Sequence, residues 1–165
     1  MESITRHSWD RATEEAVLLW TLASTQYPLD HRIVQEKATR RVIESVSIFA
    51  LYARRALEVV HNRPSIELRQ PRWQWTPIAS GDIVTNLWDA LNRIIHAKKL
   101  DVGWEKLPPT AAIIDKGAIV ICHIRAETDH RPLAFIDPFA LAHAFLYDAL
   151  PLQDLRTVTR AERTH

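Results

Sequence analysis

A chain of 165 residues that is 47% hydrophobic and 25% charged has globular composition, and its length fits one domain able to bury a core without metal or disulfide staples. Its formal net charge of +1 excludes a protein that holds nucleic acid by bulk positive charge, so any such role has to be local. One cysteine, Cys122, excludes an intrachain disulfide and a zinc site built on paired thiolates, which suits a reducing cytoplasm.

The opening "MESITRHSWDRATEEAV" lacks a basic segment followed by an apolar run, so no secretory signal is expected there. No apolar stretch approaches the roughly 20 residues that span a bilayer, and no membrane role is expected. Trp9, Ala12, Ala16, Leu19, Trp20 and Ala23 recur at helical steps, predicting a first helix that stops before Pro28. From Ile33 to Val60 the same rhythm runs through Val42, Val46, Phe49, Ala53 and Leu57, predicting a second helix about 40 Å long.

Three prolines make "HNRPSIELRQPRWQWTP" an irregular connection, in which Trp73 and Trp75 share a side if the segment is extended. Ser80 reads as the N-cap of a third helix, with Asp82 in its first turn, that carries Ile83, Leu87, Ala90, Leu91, Ile94 and Ile95 and ends near Lys98 and Lys99. "DVGWEKLPPT" reads as a connection. The β-branched run "AAIIDKGAIVICHIRAE" predicts a hairpin turning at Asp115, Lys116 and Gly117, with "RPLAFI" as a third short strand. Asp137 and Pro138 open a fourth helix through Phe139, Ala142, Phe145, Leu146 and Ala149, ended by Pro151.

The expected architecture is therefore mainly α: a four-helix bundle with a small antiparallel hairpin or three-stranded sheet, near residues 111–136, inserted before the last helix. Residues 1–155 form this single domain, and the polar, basic tail 156–165 is expected to be disordered.

Three scattered glycines exclude a Gly-rich phosphate loop, and no two histidines stand at the spacing of a helical zinc motif, so neither a nucleotide cofactor bound that way nor a metal is expected. Candidate chemistry gathers in "NLWDALNRIIHAKKL". On a helix Asn92 and His96 lie one turn apart, where His96 could act as acid or base and Asn92 could orient it; the competing reading is a half-buried polar pair at a helix interface. His123 and Arg125 alternate with their neighbours on a strand and read as a solvated face. Trp73, Trp75 and Trp104 fall in predicted connections, where rings either anchor a partner or plug the ends of the bundle.

"LWDALNRIIHA", followed by a small β element and a helix opening "FIDPFALAHAF", resembles the HEPN superfamily of helical bundles, many of them RNases of toxin and antiviral systems. Members commonly place an arginine four to six residues before a histidine and dimerise so that two motifs face each other. The resemblance puts the family histidine on His96. It leaves the arginine unfilled, because Asn92, Leu91 and Ala90 occupy the required positions and Arg93 is too near. "RALEVVH" supplies Arg55 and His61 at a fitting interval. Such a pair also arises by chance in a chain with eight histidines.

What the resemblance implies is a cytoplasmic homodimer with a protein or RNA partner. The unfilled arginine favours a non-catalytic binding module. The alternative is a metal-independent endoribonuclease in which His96 or His61 assists attack of the RNA 2′-hydroxyl while Arg55, or Arg93 of a neighbouring subunit, stabilises the phosphoryl charge.

Overall fold

The structure, a computed structural model, describes residues 2–154. The tail 156–165 lies outside the described residues. Helix α1 (Glu2–Ser24) leads through a two-residue strand β1 (Tyr27–Pro28) into α2 (Arg32–Glu58). The two long helices run antiparallel, as the pairing of His7 with Tyr52 and of Glu15 with Ser45 shows. Their buried stripes contain the residues that the periodicity selects, among them Trp9, Ala16, Leu19, Val42, Phe49 and Leu57. Among the described residues no helix is long and apolar enough to cross a membrane.

The four-helix bundle with a small β insertion is not what forms; the fold is α+β, with a five-stranded mixed sheet. Two departures from the sequence reading account for the difference. Asp82–Ile83 is not the first turn of a helix but a strand, β2, parallel to β5 (Ala134–Ile136). Its N–H groups are used in that pairing, as Asp82 donates to the Leu133 carbonyl and Val84 to that of Phe135. The third helix, α3 (Leu87–Ile95), is consequently nine residues long and is capped by Asn86, whose side chain accepts the Asp89 N–H, instead of by Ser80.

The second departure is larger. The segment read as a connection after Lys98 is strand β3 (Lys99–Lys106), antiparallel to β4 (Ala118–Glu127) along its whole length. Leu100, Val102 and Trp104 point to the helices, which is a period of two. Ala111–Ile114 form no strand; they belong to the loop between β3 and β4, which turns back at Gly117 with a φ of +98°, a value that glycine adopts without strain. The opposite edge of β4 is shared by β1 at its start and β5 at its end. The expected third strand thus appears as β5, and Asp137 caps α4 (Pro138–Ala144) as its sequence predicts, with a π-helical turn over Phe145–Ala149.

Helices cover one face of the sheet, where Ile119, Ile121, Ile124, Ala126 and Ile136 join the main core. The other face is covered by the proline-broken segment after α2 and by Ala112 and Ile114 of the loop between β3 and β4. There Ala118, Val120 and Cys122 form a second cluster beneath Trp73 and Trp75.

Candidate functional site

The residues of "NRIIHA" do not converge. Arg93 is 2% exposed; its guanidinium donates to Asp82 Oδ2 at 2.7 Å and to the Pro132 carbonyl at 3.0 Å, and lies 3.6 Å from Asp89 Oδ1. It clamps β2, α3 and the turn before β5 together, so its charge is engaged within its own chain. Asn92 is half-buried, with Oδ1 inaccessible and without a hydrogen-bond partner among the described residues. His96 is exposed at the C-cap of α3, and its backbone N–H, not its ring, bonds to the Asn92 carbonyl.

The second pair lies at the far end of α2. Arg55 is exposed beside Tyr52, 5.7 Å from the ring centroid, and His61 is exposed beyond the helix end. Among the described residues no hydrogen bond, ion pair or ring contact joins His96 or His61 to an arginine. Trp88, one turn before Asn92, instead stacks with Arg63 at 3.5 Å, which fastens the chain leaving α2 to α3.

A different set of residues does converge, on the outer face of the sheet. The register of β3 against β4 shifts between Gly103 and Trp104: Gly103 faces His123, and Trp104 faces Ile121. Cys122 is the extra residue of this bulge, so Ile121 and Ile124 both reach the main core while Cys122 and His123 sit side by side on the outer face. The strict alternation expected around Cys122 fails for this reason. His123 is no solvated surface residue either: it is 6% exposed, with its ring 4.7 Å from that of Trp75 and edge-on to Phe135 at 5.2 Å. A glycine at 103 is required, because a Cβ there would stand 2.0 Å from His123 Nε2.

Neither ring nitrogen of His123 has a hydrogen-bond partner among the described residues. Burial, assisted by the Arg125 charge, lowers its pKa to about 4, so the ring is neutral at physiological pH. Burial likewise raises the Cys122 thiol to about 12, helped by Glu105 and Asp137, and removes it as a thiolate nucleophile.

Above this layer the segment 68–78 arches as a strap fixed by its two indoles. Trp73 Nε1 donates to the Ala23 carbonyl at 2.8 Å, and Trp75 Nε1 donates to Asp137 Oδ2 at 2.9 Å. The other oxygen of Asp137 accepts the Ala140 N–H at 2.9 Å, so one carboxylate caps α4 and moors the strap. Burial raises the Asp137 pKa, against the opposing effect of these N–H donors.

Between strap, β2 and the start of α4 lies a cavity of about 760 Å³. Leu68, Trp73, Trp75, Ile78 and Val84 supply its apolar walls, while Gln74, Thr76, Thr85, Glu105 and Asp137 supply polar atoms. Its size and mixture match those of small-molecule sites, which are mainly apolar with a few placed polar groups. Among the described residues no three His, Cys, Asp or Glu side chains converge as metal ligands would.

The sequence signal for this site is the "WQW" spacing, which places both indoles on one side of an extended strap. Nothing local announces Glu105 or Asp137 as its partners: the first lies on a strand that reads as loop, and the second already has a role as a helix cap. Compared with family models, with curated proteins and with solved structures, the chain matches none.

Proposed function

We propose that the chain is a non-catalytic binding module whose ligand seat is the cavity beneath the tryptophan strap. The observation that carries this reading is the preorganisation of its walls. Both indoles that line the cavity are fixed through their N–H groups to acceptors in other elements, so little rotamer freedom is lost when a ligand arrives. The non-catalytic reading is supported by the histidine and cysteine beneath the strap: neither lines the cavity, and both are held neutral, with pKa values of about 4 and about 12, far from the range useful to a base or a nucleophile at neutral pH. A buried, unpaired thiol suits a reducing compartment, and the cytoplasm is the proposed location.

The test is ligand-detected NMR with a library of small fragments, on the wild type and on Ile83→Trp. Ile83 lines the cavity from an exposed position, so the larger ring fills the seat without disturbing the core. Fragments that bind the wild type and are lost in the variant are expected. Hits that survive the substitution would place binding elsewhere, and metal-independent cleavage of RNA by the wild type would contradict the non-catalytic reading.

A further inference from the structure

The charged groups around the strap cavity are distributed unevenly. Beside it three bases are matched to acids, Arg125 to Asp101 at 3.1 Å, Arg93 to Asp82 at 2.7 Å and Arg131 to Asp89 at 2.9 Å, while Arg69 and Arg72 of the strap have no acidic partner among the described residues. The cavity itself is lined by two acids, Glu105 and Asp137, and by no lysine, arginine or histidine. Neither acid has a cationic partner among the described residues. For Asp137 this is unusual, because it is 9% exposed and buried carboxylates are ordinarily paired with a cation. Its two oxygens each accept one N–H, which satisfies hydrogen bonding without neutralising charge.

The aromatic walls favour the same sign of charge. An indole face attracts a cation through its quadrupole, and Trp73 already holds one, the Arg72 guanidinium at 4.5 Å from its centroid. Two carboxylates, two indoles and an aliphatic wall in one cavity of this size are complementary to a positive head on an apolar body.

We infer that the ligand of the strap cavity is a small organic ammonium ion, whose charged head is held by Asp137 and Glu105 and whose apolar body lies along Trp75, Leu68 and Val84. The inference rests on the binding-seat reading above and adds the chemical class of the ligand. A lysine side chain offered by a partner protein carries the same head. The volume of the cavity, in the range of small-molecule sites, favours the free amine.

The experiment follows the tryptophan indole N–H signals of the isotope-labelled chain at neutral pH during titration with phenethylamine, phenethyl alcohol and phenylacetate. These share a body and differ in the charge of the head. The ammonium form is expected to move the Trp75 signal with an affinity roughly tenfold or more above that of the alcohol, and phenylacetate is expected to bind most weakly. Glu105→Gln should lower the ammonium affinity several-fold and the alcohol affinity by much less. The Glu105 side chain is exposed and makes no hydrogen bond or ion pair among the described residues, so this variant folds even if Asp137→Asn, which also alters the acceptor of Trp75, does not.

Equal affinities for alcohol and ammonium would overturn the charge inference and leave the binding seat standing. No movement of the Trp75 signal with any probe at millimolar concentration would overturn both. Tighter binding of Nα-acetyl-lysine amide than of phenethylamine would overturn the free amine in favour of a protein side chain.

Discussion

The two faces of strand β4 are covered by different kinds of chain. On the inner face Ile119, Ile121, Ile124 and Ala126 join the core formed with the regular helices, which includes Trp9, Phe49 and Phe145. On the outer face Val120, Cys122 and His123 meet a proline-broken strap whose anchors are two indole hydrogen bonds and the tilted contact of Trp75 with the His123 ring. The inner face gives the fold its stability through non-directional burial of apolar surface, which tolerates no cavity. The outer face is held by a few directional contacts, and the strap that covers it also borders, with β2 and the start of α4, the cavity of about 760 Å³ in which a ligand can be accommodated.

If this division is right, the outer face should respond to pH and to single polar changes in ways the inner face does not. The largest effect is expected from His123. Its pKa falls from 6.5 to about 4 on folding, so the native state binds fewer protons than the unfolded chain between those values. The contribution is fully present above pH 6.5 and is lost as pH falls toward 4, by about 3 kcal/mol. Asp137 acts in the opposite sense: with its pKa raised, its burial becomes less unfavourable as pH falls. Urea unfolding across this range should show a steeper acid loss in the wild type than in His123→Gln, and identical profiles would contradict the buried neutral imidazole.

Gly103→Ala comes next. The added Cβ meets the His123 ring at 2.0 Å and must displace it from Trp75, an overpacking expected to cost about 2 kcal/mol and to be largely relieved in the double variant with His123→Ala. Thermal melts of the single and double variants check this. Trp75→Phe keeps a ring over His123 but removes the N–H donated to Asp137, and a loss of about 1.5 kcal/mol is expected. The smallest effect should be that of His96→Ala, within about 0.5 kcal/mol, because the ring is exposed at the end of α3 and makes no contact that the fold needs. A large loss at His96 would move attention back to α3.

How far the sequence foretells this molecule differs between the same two regions. The long helices are legible because Trp9, Leu19, Phe49 and Leu57 repeat at helical steps over many turns. The cap at Asp137 is legible because an aspartate before a proline has a direct local meaning. Strand β3 does carry a period of two, Leu100, Val102 and Trp104 alternating with Asp101, Gly103 and Glu105, but its glycine and the Pro108–Pro109 pair that follows make the segment read as a connection, and the glycine is there to admit a histidine twenty residues later. Asp82 is similarly misleading. A serine and an aspartate before apolar residues resemble a helix start, yet Asp82 is held in a strand by its pairing to β5 and by Arg93. The bulge at Cys122 leaves no mark in composition at all, although it is what turns His123 under the strap.

The measurement that tests the account most directly is a backbone and indole chemical-shift map of the full chain, recorded with a fragment found by the NMR screen. The account predicts that the Trp75 indole and the amides of Thr85 and Ala140 move, while those of His96 and His61 hold their positions. Movement confined to His96, Asn92 and His61 would contradict it and return the site to the helix ends.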